Sequence, residues 1–200
     1  MDFNAIIKRA IAIITKPKEE WEVIKNESMT IADMYVKYAI ILAAIPAVAG
    51  FIGWVAIGKS IAFGTLRIPV GNALAWAVLT YVLSLGGVYL MAFIIDALAP
   101  SFGSKKDMNR SMKAVVFSYT AAWIGGIFNL IPALSIIASL CGIYTLVLLY
   151  MGMKTTKEVP QDKMVGYYIV SLVIAIVVFF IIFFIASRIA FGSVGASFLY

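Results

Sequence analysis

Apolar positions in this chain fall in blocks longer than a soluble helix needs. Uncharged runs cover Tyr38–Gly58, Ile68–Ile95, Ala114–Met153 and Met164–Ser187. One bilayer crossing takes about 20 residues, so the first, second and fourth runs each supply a span. The third, closed by Lys113 and Lys154, would measure about 60 Å as one helix, roughly twice the hydrocarbon thickness. It must fold back on itself. Asn129-Leu130-Ile131-Pro132 is the hinge, because Pro132 lacks an amide hydrogen and disfavours helix at Ile131. The pattern predicts an all-α membrane protein with a five-helix bundle over 31–189, its spans at about 35–57, 69–98, 114–130, 133–153 and 164–187. A short external tail, 190–200, follows.

Ahead of the bundle, residues 1–30 predict two short amphipathic helices. Phe3, Ile6, Ile7, Ala10, Ile11 and Ile14 share one helical face, with Asn4, Lys8 and Arg9 elsewhere. A basic amphipathic helix beside a membrane reads as interfacial; the rival is packing under the protein's own loops. Pro17 then restarts a helix over 17–26, with Glu19 and Glu20 in its positive first turn. Trp21 and Ile24 lie on its apolar side, and Trp21 is expected at headgroup level with its N–H in water. Within the spans, Pro46 is expected to kink the first, and Gly86-Gly87 marks a packing face or a bend in the second.

Charge orients this arrangement. Of the 16 Lys and Arg, thirteen fall in segments on the N-terminal side and only Lys59, Arg67 and Arg188 on the other. That bias predicts a cytoplasmic N-terminus and an external C-terminus in a prokaryotic plasma membrane, with the bilayer and its anionic headgroups as partners. Nucleic acid is excluded, because the cations orient spans and form no basic groove with stacking platforms. Composition agrees: 63% of residues are hydrophobic and 13% charged. The chain has no His and a single Cys, Cys141, so it lacks a zinc, haem or iron–sulfur ligand set and any His-based catalytic pair. No cofactor and no enzymatic activity are expected.

Several segments together resemble the Yip1 family of membrane proteins, in its short prokaryotic branch. They are Pro17-x-Glu19-x-Trp21-x-x-Ile24, Asp33-Met34-Tyr35, Ser118-Tyr119-Thr120, Asn129-Leu130-Ile131-Pro132, and Tyr144 through Gly152 running into Lys154. The resemblance implies five spans with a cytoplasmic N-terminus. Eukaryotic relatives are associated with Rab GTPases, vesicle traffic and hetero-oligomers with similar proteins. The entrance motif of those eukaryotic relatives reads Asp-Leu-Tyr-Gly-Pro; here Asp33 and Tyr35 match, and Val36 and Lys37 replace its last two residues.

The candidate functional polar residues are Asp33, Tyr35, Asp96, Tyr119 and Asn129. Asp96 ends the second apolar run, where a carboxylate is costly unless paired or wet. It is expected to pair with Lys37, Arg110, Lys113 or Lys154, or else to couple proton or cation movement. Asn129 suits the carbonyls freed before Pro132. Tyr119 and Asn129 either bond neighbouring helices or line a cavity with Thr80, Tyr81 and Ser84 that takes a small polar solute. Two functions follow. The first is a non-catalytic membrane-organising, trafficking-like or partner-recruiting protein acting in homo- or hetero-oligomers. The second is a small-solute or ion transporter or channel acting as an oligomer.

Overall fold

The computed structural model describes residues 3–61, 64–67 and 69–191. Residues 192–200 of the expected tail lie outside them. Four described helices are long and apolar enough to cross a membrane: Ile31–Ile57, Val70–Phe102, Pro132–Thr156 and Gln161–Ile181.

The chain starts with α1 (Phe3–Thr15) and α2 (Pro17–Asn26), the second beginning on Pro17 as its missing amide allows. A capping box between Thr30 and Asp33 opens α3 (Ile31–Ile57), which contains two π-helical turns and keeps Pro46 in its interior. Two three-residue strands, β1 (Lys59–Ile61) and β2 (Gly64–Leu66), pair antiparallel with Ser60 opposite Thr65. This small hairpin adds β-structure to a chain expected to be wholly helical, in a segment expected to be a plain loop. Next comes α4 (Val70–Leu98), prolonged by a 3-10 turn over Ala99–Phe102. Gly87 meets the Phe179 ring and packs there, whereas a Cβ on Gly86 would meet no neighbour.

The expected third span is not one helix. It comprises α5 (Met108–Ser118), α6 (Thr120–Gly125) and a 3-10 turn over Gly126–Leu130. Side chains interrupt its backbone ladder: Ser118 Oγ donates back to the Ala114 carbonyl, and the Ala122 N–H bonds Thr145 Oγ1. The hairpin tip ends in a 3-10 turn at Pro132–Leu134 and leads into α7 (Ser135–Thr156). Glu158, at φ 52°, turns the chain toward α8 (Gln161–Phe191).

The broken α5–α6 segment is the centre of the bundle. All eight residues from Ser111 to Ser118 are buried, and the segment packs on α3, α4 and α7. Close approach depends on small residues: a Cβ on Gly126 would stand 2.4 Å from Pro46, and one on Gly53 would stand 2.2 Å from the Asn129 carbonyl oxygen. Outward faces carry Val78, Val82 and Phe93 of α4 and Ile169, Ile176 and Phe180 of α8, all exposed, as lipid contact requires.

Against the interfacial expectation, α1 and α2 turn apolar residues toward the protein. Ile6, Ala10 and Ile13 of α1 are buried, and Tyr144 donates its hydroxyl proton to the Ile14 carbonyl at 3.0 Å. Trp21 is fully buried, its N–H away from water rather than in it, because Gly152 of α7 leaves room for its ring. The remaining α1 stripe of Phe3, Ile7 and Ile11 stays exposed.

Candidate functional site

Two polar regions stand out, at different depths. The first lies where α4, α5 and α7 end, on the face that carries α1 and α2. Asp96 Oδ1 accepts from the Asp107 backbone N–H at 2.7 Å, from Ser111 Oγ at 3.1 Å and from Lys157 Nζ at 3.2 Å. Lys157, wholly buried, also donates to Ser111 Oγ at 2.9 Å and to the Lys105 and Asp107 carbonyls. Burial pushes its amine pKa down, against the upward pull of Asp96. Lys157 Nζ and Asp96 Oδ1 each have several protein partners, which suits a structural clasp.

Lys157 was not among the expected partners of Asp96. Those cations are engaged elsewhere or remain exposed: Lys37 pairs with Asp33 at 2.5 Å, and Arg110 with Asp107 and Glu158. Lys113 donates to the Glu27 carbonyl at 2.5 Å, and Lys154 is exposed. Beside this clasp, Arg9 pairs with Glu20 at 3.0 Å and Glu27 at 2.6 Å, and its guanidinium sits 5.6 Å from the Phe117 ring centre. Burial raises the Glu20 pKa, with Arg9 opposing.

The second region is a cavity of about 460 Å³ between α3, α4 and the α5–α6 break, reaching the hairpin tip at Asn129, Pro132 and Ser135. Its walls are aromatic (Phe51, Trp54, Trp76, Tyr81, Tyr119, Trp123) and its polar groups neutral, among them Thr80, Ser84 and Asn129. Trp123 donates its indole N–H to Ser84 Oγ at 3.0 Å, with the Tyr119 ring centre 5.8 Å away. Tyr81 reaches the Ile40 carbonyl at 3.1 Å. Among the described residues, the Tyr119 hydroxyl and the Asn129 side-chain amide have no hydrogen-bond partner.

The structure thus brings Tyr119 and Asn129 together with Thr80, Tyr81 and Ser84. Asn129 does not serve the carbonyls before Pro132; the turn closes through backbone bonds, Ile131 N–H to Phe128 and Leu134 N–H to Ile131. Asp33, Tyr35 and Asp96 are outside the cavity. Tyr35 donates to the Leu85 carbonyl at 2.9 Å, beneath it. Twelve residues of α4 separate Ser84 from Asp96, about 18 Å of rise. A packed layer fills that interval: Tyr38, Phe117, Val88 and Ala92 are fully buried, and Tyr38 is bonded to Thr120 at 2.8 Å. Lys157, Trp54 and Trp76 were not singled out in the sequence. The indoles lie in apolar runs near the span ends, where membrane-interface tryptophans are ordinary.

A family model for the Yip1 domain matches residues 11–184. The inner membrane protein YohC of Escherichia coli strain K12 is 27% identical over 166 residues, 81% of this chain and 85% of that protein. YohC of Escherichia coli O6:H1 aligns with the same figures. No solved structure matches.

Proposed function

The chain belongs to the Yip1 family, and from that premise we propose a non-catalytic, five-span protein of the bacterial inner membrane that organises the bilayer through its cytoplasmic face. The carrying observation is the α1 surface: Phe3, Ile7 and Ile11 are exposed while the same helix is fixed to the bundle through Ile6, Ala10, Ile13 and Arg9. A helix held this way presents an apolar stripe and the exposed Lys8 as a rigid unit rather than as a loose tail. Lys16, Lys18 and Lys25 extend the basic surface toward anionic headgroups.

The segment 114–130 supplies the fifth crossing. Its helical and 3-10 pieces add to about 27 Å, close to the hydrocarbon thickness, with thirteen cations on the N-terminal side, Arg110 and Lys113 among them. The proposal includes homo- or hetero-oligomers with other membrane proteins. The inner-membrane location named for YohC agrees with it.

The test uses Ile7→Cys and Ile11→Cys in a Cys141→Ala background, labelled with a polarity-sensitive dye in bilayer nanodiscs. Apolar emission in anionic bilayers, weakened by salt, is expected. Water-like emission at low salt would overturn the reading.

The second reading, a small-solute or ion transporter acting as an oligomer, is favoured by the cavity. It must account for the packed layer beneath Ser84. Solute flux in proteoliposomes decides it.

A further inference from the structure

We propose that the cavity is a binding site for an uncharged, polyhydroxylated group, held between tryptophan rings and bonded by Tyr119, Asn129 and Ser84. The inference deepens the second reading above but requires binding only, not transport.

The chemistry of the walls selects the ligand. Among the described residues, no Asp, Glu, Lys or Arg lines the cavity, so an ion taken there from water would lose its hydration without a counter-charge from them. The neutral groups nonetheless have unused hydrogen-bonding capacity. The Tyr119 hydroxyl can donate and accept, and the Asn129 amide offers an acceptor and two donors. Ser84 Oγ accepts from Trp123 and keeps its own proton to give.

At membrane depth such groups are costly unless something bonds them. A polyol supplies donors and acceptors together, and its C–H faces lie against aromatic rings. Trp54, Trp76 and Trp123 provide those faces. The volume, about 460 Å³, falls within the usual range of small-molecule pockets, about 300–1,000 Å³.

Two sources carry this chemistry: a free polyol and the sugar head of a lipid. The lateral seam between α3 and α4 bears on the choice. An apolar groove of about 260 Å³ lies on that seam and shares Ala47, Phe51, Ala77 and Tyr81 with the cavity. Its outer residues Val48, Leu74 and Val78 are exposed where lipid chains run.

The experiment uses the whole chain in zwitterionic nanodiscs, reading tryptophan emission and the thermal midpoint. The probes are methyl β-glucoside, octyl β-glucoside below its solubilising concentration, glucose 6-phosphate and choline. A saturable response to both glucosides is expected, absent for the charged probes. Response to methyl glucoside establishes the free-polyol source, and response to octyl glucoside alone establishes the lipid-head source.

Tyr119→Phe removes one oxygen and should weaken binding about fivefold, the usual worth of one neutral hydrogen bond. Asn129→Leu should weaken it further. No saturable response to either glucoside overturns the proposal. So does equal binding of glucose 6-phosphate or choline, or unchanged affinity in both variants with normal melting. Saturable binding without flux sinks the transport reading and leaves the site intact.

Discussion

The Trp21 indole lies against Gly152 so closely that a Cβ added to the glycine would stand 2.6 Å from the ring carbons. One contact therefore ties α2 to the last third of α7. Gly152→Ala should force the ring off its seat and destabilise the detergent-solubilised protein by about 1–3 kcal/mol, as overpacking does elsewhere. The melting temperature measures this. An unchanged midpoint would mean that α2 shifts freely and that the N-terminal helices are loosely held.

Lys157 and Asp96 form a second tie. Removing one partner of a buried pair leaves the other charge uncompensated, at a cost of about 3 kcal/mol or more. Lys157→Met should be that damaging at neutral pH. Lys157→Met combined with Asp96→Leu should recover much of the loss, because no charge is then stranded. A double variant as unstable as the single one would refute the pairing.

The same amine gives a pH dependence. Its folded pKa lies below the ordinary lysine value, chiefly through burial. Such a group adds stability that is present above the unfolded value and lost as pH falls through the folded value. The stability gap between wild type and Lys157→Met should therefore widen as pH rises toward the ordinary lysine pKa of about 10.4. A gap that narrows would show that Asp96 outweighs burial and holds the amine charged.

Gly125 provides a paired test inside the bundle. A Cβ there would fall 2.2 Å from Cys141 Cβ, so Gly125→Ala should separate α6 from α7. Cys141→Gly opens the matching space, and the double variant should melt above Gly125→Ala alone despite the glycine's helix cost of about 1 kcal/mol. Additive losses would place the damage elsewhere.

Much of this architecture is legible in the sequence because lipid demands long apolar runs, and Pro132 marks where the longest one turns. Grouping Tyr119 and Asn129 with Thr80, Tyr81 and Ser84 needs only their depth in the spans. Side-chain pairing is less accessible. Lys157 reaches Asp96 because α4 and α7 end together and Glu158 takes a left-handed turn, neither of which hydropathy records. Trp21 looks like an interfacial residue until Gly152 is found opposite it, 131 positions later. The break at Tyr119 escapes notice because uniform apolar composition cannot show which carbonyls lose their helical partners. Ser118 and Thr145 create it from the side.

The contacts of α1 and α2 carry a consequence for how the protein is made. Ile14 waits for Tyr144, 130 residues downstream, and Trp21 waits for Gly152. Chains emerge N-terminus first, so the earliest helices leave the ribosome long before their partners exist. During that interval their apolar faces have only lipid, each other or a chaperone to cover them. The part synthesised first can take its final seat only after α7 has been inserted, which makes the closing of this face a late step in assembly.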